Sequence, residues 1–215
     1  MVPSKRDPTM DVCLNEADRP EALLNKDGLK TWGFVIYRCT YQNNSDWEKF
    51  MARFLSVVPD YLEFYSGLDL LDTFAPTVLE DPSFEGTTVA TLGEHFNLWA
   101  KVSLKEEKGG PEDYYVRIGR YRFFIMVDQE AMELVLSAPK HDYETSFVRV
   151  RYSMKRIRNG DVPEPEEPLE GCTENDVGWM KVCWAYVGLP GFHKLLDKES
   201  GKCVMLGRRE SADIL

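Results

Sequence analysis

The sequence predicts an α+β fold: an antiparallel sheet in the ferredoxin-like β-α-β-β-α-β order, with extra helices inserted after the first strand and a C-terminal extension. Three observations predict it. Runs of apolar residues with strand period are interspersed with runs of helical period. Turn and capping residues separate these runs. The 215-residue chain is 43% hydrophobic and 12% aromatic against 29% charged, enough for one sizeable core without disulfides or metal.

Residues 1 to 30 are polar and weakly periodic, and are expected to form a mobile arm. Within it, Pro20 to Asn25 fits one helical turn stopped by Gly28. A single domain is expected from 31 to 215. Gly33 to Tyr41 is dense in β-branched and aromatic residues and reads as a strand. Ser45 with Glu48 forms a capping box for a helix whose buried stripe is Trp47, Phe50, Met51, Phe54, Leu55 and Val58. Pro59-Asp60 interrupts it, and a second helix follows through Tyr61, Leu62, Phe64, Tyr65 and Leu68 towards Leu71. Asp81-Pro82-Ser83 and Glu85-Gly86 mark a loop.

Thr87 or Thr88 starts a helix with Val89, Leu92, Phe96, Trp99 and Val102 on its apolar face. Lys108-Gly109-Gly110-Pro111 breaks the chain. Tyr114 to Ile118 and Tyr121 to Val127 read as two strands joined by a tight turn at Gly119-Arg120. Asp128 caps a helix from Gln129 to Ala138, which Pro139 ends. From Ser146 to Met154 apolar residues alternate with Phe147, Arg149 and Arg151, as in a half-exposed strand. Residues 159–172 are rich in Pro and Glu and are expected to be a flexible acidic loop. Asp176 to Val187 fits strand and helix equally. Leu189 to Leu196 reads as a short helix, and Cys203 to Leu206 as an extended piece of a tail.

A net charge of −10 argues against general polyanion binding. The N-terminus has no apolar signal region, and no run approaches the length of a membrane span, so a cytoplasmic, membrane-free protein is expected. Five widely spaced cysteines, with no Cys-x-x-Cys, fit neither a disulfide framework nor a zinc site. The three histidines share no ligand spacing, and no nucleotide or phosphate-loop motif occurs, so no metal or cofactor is expected.

The candidate catalytic residues are Asp128, an acid at a strand end, and His95, because histidine is the side chain suited to general-base work near neutral pH. The competing readings are an N-cap for Asp128 and a half-buried helix histidine for His95. One stretch departs from the overall acidity: Tyr114 to Arg158 holds nine basic residues against five acidic ones. Arg117, Arg122, Arg149 and Arg151 fall on one strand parity with Tyr115, Phe124 and Phe147, and Arg38 is expected to join them. If helices cover only the other face, this is an open surface of arginines and aromatics, suited to phosphates and stacked bases such as those of tRNA. The alternative is arginines facing outward for solubility, or paired with the acidic loop.

Gly33-Phe34-Val35-Ile36-Tyr37-Arg38, Thr40-Tyr41, Trp47, Met126-Val127-Asp128, Glu170-Gly171-Cys172 and Asp176 to Val182 together resemble a family of small, uncharacterised proteins of filamentous fungi, over roughly residues 31 to 197. In size and in its lack of motifs the chain is also similar to fungal arginine-containing cyclodipeptide synthases, which use aminoacyl-tRNAs. That resemblance implies an enzyme of specialised metabolism acting on an anionic or RNA-linked substrate, such as a tRNA-dependent cyclodipeptide synthase. The other reading is a non-catalytic protein- or ligand-binding module. A concave pocket beside the arginines would favour the first.

Overall fold

A computed structural model describes residues 2–109, 116, 118–139, 146–152 and 179–187. The expectations for Arg117, for the loop 159–172 and for everything after Val187 fall outside these residues. Among these residues, five strands form one sheet. β1 (Val35–Arg38) lies inside it, and all four of its residues are buried. A strand covered on both faces has no polar side to show, which is why it reads as an unbroken apolar run. β2 (Thr77–Glu80) and β3 (Phe123–Val127) flank β1, both parallel to it. β4 (Phe147–Tyr152) is antiparallel to β3, and β5 (Trp179–Cys183) is antiparallel to β4.

The fold is α+β, but the sheet is mixed, in the order β2-β1-β3-β4-β5, and this replaces the expected antiparallel ferredoxin-like order. Two segments make the difference. β2 lies where the sequence shows only an approach to a loop. Its four residues sit between Pro76 and Asp81-Pro82, too short a run to display a period. Most of the expected first hairpin strand, Tyr114, Tyr115 and Arg117, lies outside the described residues, and the expected tight turn is a 3-10 turn at Gly119–Tyr121. β3 already has β1 on one side and β4 on the other, so no edge remains for a hairpin partner.

Helices occupy both faces. α1 (Asp18–Asp27) is followed, after β1, by α2 (Asn44–Leu55) and α3 (Val57–Phe64). The cap of α2 is Asn43, whose side chain accepts from the Ser45 and Asp46 amides, two residues before the expected Ser45. α4 (Val89–Lys108) is capped by Thr88, and α5 (Gln129–Ser137) by Asp128. Strand register sorts the side chains. Tyr37, Met126 and Arg149 form one row, with Phe124 and Arg151 on the same side. α4 covers that side, with Phe96 5.2 Å from Phe124 and His95 5.6 Å from Tyr37 between ring centroids. Phe34, Ile36, Arg38, Ile125 and Val150 face the other way. There α2 packs Phe54 5.9 Å from Phe34. Arg53 of α2 ties α5 alongside by donating to the Leu136 carbonyl at 3.3 Å and the Pro139 carbonyl at 2.7 Å.

Residues 2–30, expected as a mobile arm, pack against this frame. Ala17, Leu24 and Leu29 are buried. Asn15 donates to the Tyr65 carbonyl at 3.1 Å, and buried Asp27 accepts from the Ile118 amide at 2.9 Å. Arg6 gathers Asp18, Glu21 and Asp69. α3 ends in a Schellman turn, with the Gly67 amide on the Leu62 carbonyl at 2.7 Å and the Ser66 amide on the Glu63 carbonyl at 3.1 Å. Ser66 takes the left-handed conformation usually left to glycine, at φ 54°. The glycine stands one residue later because the arm needs it there: a Cβ on Gly67 would lie 2.5 Å from the Ala17 Cβ. Among the described residues, no helix is long and apolar enough to cross a membrane.

Candidate functional site

The arginines expected on one open face are split by the register. Arg38 points to the α2 side, away from Arg149 and Arg151. It is 7% exposed and fully engaged. Its Nε donates to the Thr40 carbonyl at 3.0 Å, Nη1 lies 3.4 Å from Glu80, and Nη2 donates to Asn44 Oδ1. Tyr41 and Trp47 present ring faces 4.6 and 5.1 Å from its guanidinium carbon. A buried cation needs this many partners to offset its lost hydration, and the arrangement ties β1 to β2 and α2.

Arg149 is the centre of a four-charge network at the carboxyl end of β3. Nη1 lies 3.0 Å from Asp128 Oδ2 and Nη2 3.4 Å from Glu130. Lys181, one strand over, reaches Glu130 at 3.6 Å. Two cations and two carboxylates cancel. Aromatic rings complete the patch: Trp179 lies 5.3 Å from the Arg149 guanidinium carbon, and Phe147 3.8 Å from the Lys181 ammonium. In an open α/β sheet, ligands bind beyond the strand carboxyl ends where the connections diverge. Here that place is between β1 and β3, where Thr40 donates to Gln129 Oε1 across the gap. The expected alternation in β4 is present, with Val148 and Val150 buried and Arg149 half-buried, but Trp179 and Lys181 were not singled out as site residues.

Arg151 is used differently again. Its Nη1 donates to the Val89 and Ala90 carbonyls in the first turn of α4, at 3.1 and 3.0 Å. Burial depresses its pKa, while Glu94 opposes that shift. The seat exists because position 93 has no side chain: a Cβ on Gly93 would stand 1.0 Å from Nη1. Gly93→Ala is therefore expected to evict the guanidinium and cost about 1–2 kcal/mol, despite the better helix propensity of alanine. In an Arg151→Ala background the same change is expected to stabilise by about 0.5–1 kcal/mol. Urea unfolding of the four proteins measures the reversal. Arg122 lies with its guanidinium carbon 5.6 Å from the Phe123 ring.

The two catalytic candidates are also engaged. Asp128 Oδ1 accepts the Ala131 amide at 2.9 Å, the N-cap bond, and Oδ2 holds Arg149. His95 is exposed on α4, with Nδ1 2.7 Å from the Tyr37 hydroxyl. Burial raises the pKa of that phenol, so Tyr37 stays protonated and can donate to a neutral imidazole. Phe84 packs its ring edge-on against both. Cys39, beside the network, is buried, and burial and then the charge of Asp128 push its thiol up to about 12, with Arg149 opposing. A cavity of about 100 Å³ lies elsewhere, lined by Lys5, Val12, Asp18 and Glu21. Among the described residues no group of three or more His, Cys, Asp and Glu could hold a metal. No protein family, curated protein or solved structure matches the chain.

Proposed function

We propose that this chain is a non-catalytic protein-binding module. One observation carries the reading: the described side chains that suggested chemistry are committed to internal partners. Asp128 caps a helix and holds Arg149, His95 is bonded through Nδ1 to the Tyr37 hydroxyl, Arg38 joins three elements, and Arg151 donates to carbonyls of α4. A catalytic acid or base needs a lone pair or proton free for substrate, and a phosphate clamp needs guanidinium donors free for oxygen. The −10 charge adds to this reading by repelling polyanions.

The competing proposal is an anionic or RNA-linked substrate, tRNA included. Its support is the pairing of Arg149 with Trp179 and of Lys181 with Phe147 at the strand carboxyl ends. A phosphate would have to displace Asp128 and Glu130, which already sit at hydrogen-bonding range. Affinity capture of the tagged chain, with cross-linking mass spectrometry and the 260/280 nm absorbance ratio, separates the two. The module reading expects a reproducible cross-linked protein partner and no nucleic acid. Co-purifying RNA that disappears with Arg149→Ala would overturn it.

A further inference from the structure

We propose that the corner between α3 and the 3-10 turn Leu68–Thr73 is a docking surface for a basic, amphipathic segment of a partner protein. This rests on the module reading and names the class of partner. Phe64 is 73% exposed, Leu68 47% and Leu71 36%. Single exposed apolar residues are ordinary, but these three fall within eight residues, at the end of α3 and in the 3-10 turn that follows it. The patch is held in shape from beneath. Leu62 and Leu70 are buried under it, the Schellman turn at Ser66-Gly67 fixes the change of direction, and Arg6 anchors the turn through Asp69. A surface fixed in this way loses little entropy when a partner covers it.

Charge identifies the occupant. From Phe54 to Ala100 the chain contains no lysine or arginine. Asp60, Glu63 and Asp72 are exposed around the patch and have no basic partner among the described residues. An apolar patch inside a carboxylate rim attracts lysine and arginine and repels nucleic acid and anionic lipid. It also disfavours a second copy of the chain, since a two-fold contact through this corner would set acid against acid. A helix with leucines on one face and lysines on its flanks meets both requirements.

Fluorescence anisotropy on the full chain tests this with three labelled peptides of equal length: an amphipathic Leu/Lys helix, a Lys/Ser peptide of the same charge, and a Leu/Glu helix. The Leu/Lys peptide is expected to bind saturably, at least about tenfold tighter than either control. Phe64→Ser with Leu68→Ser is expected to weaken it about tenfold. Asp60→Asn with Glu63→Gln and Asp72→Asn is expected to weaken it about fivefold and flatten its salt dependence. All five side chains are exposed, and matching melting curves confirm that the variants fold. Equal binding of the Lys/Ser peptide, or indifference to both variants, overturns the proposal. So does concentration-dependent self-association in sedimentation velocity that Phe64→Ser removes, because the occupant would then be a second copy. A cross-linked protein partner mapped elsewhere sinks this corner and leaves the module reading standing, whereas RNA capture sinks the module reading itself.

Discussion

Gly33→Ala is expected to destabilise the protein by about 3 kcal/mol, a large fraction of what holds a domain of this kind together. Gly33 has φ 152°, in a region that residues with a side chain rarely enter. A Cβ there would lie 2.7 Å from the Ala75 carbonyl oxygen and 2.8 Å from its carbon. Those atoms cannot retreat cheaply. The Ala75 amide is bonded to the Trp32 carbonyl at 2.7 Å, and the Thr77 amide to the Phe34 carbonyl at 2.8 Å. The glycine thus marks where the chain entering β1 closes on the chain entering β2. Gly86→Ala is the control, since it has a positive φ of 69° but nothing within 4 Å. It is expected to cost about 1–2 kcal/mol. Urea midpoints at unchanged slope measure both, and equal effects would mean that β2 does not lie against β1 as described.

Phe124→Ala is expected to cost about 3–5 kcal/mol. The ring is 1% exposed, 4.9 Å from Tyr37 and 5.2 Å from Phe96 between centroids. Its strand partner is Arg151. An open arginine face would leave Phe124 in water, where truncation changes stability by less than about 0.5 kcal/mol. The measured cost therefore decides whether α4 covers the sheet on the arginine side.

Much of this was legible locally. The apolar density of Gly33 to Tyr41, the Asp128 cap and the helical stripe of Trp47, Phe50 and Phe54 each declare themselves within one element. The parity of Arg149 and Arg151 was legible too. Parity says which residues share a side, but not what covers that side, and it is α4 that takes up Arg151 there. One signal was present and unused. Gly93 interrupts a helix-forming run, and a glycine there usually has a packing reason, here the guanidinium of Arg151. Other features depend on partners distant in sequence. Tyr37 meets His95 58 residues away, and Arg53 reaches the end of α5 across 83 residues. The N-terminal arm lacked periodicity because it docks through isolated residues, Arg6, Asn15 and Ala17, rather than through a stripe. β2 is four residues long on a sheet edge, and its identity comes from pairing with β1.

The arginines of β4 serve the fold and are not held out for an anion. A fluorescence titration with tRNA at low salt, on the wild type, Arg149→Ala and Arg151→Ala, tests it most directly when each protein is also melted. No saturable binding is expected from any of the three. A melting temperature lowered by about 2–4 °C is also expected in Arg151→Ala, where the guanidinium's bonds to α4 are lost. Saturable binding by the wild type that falls steeply with salt and is lost in both variants, with melting temperatures unchanged, would contradict it.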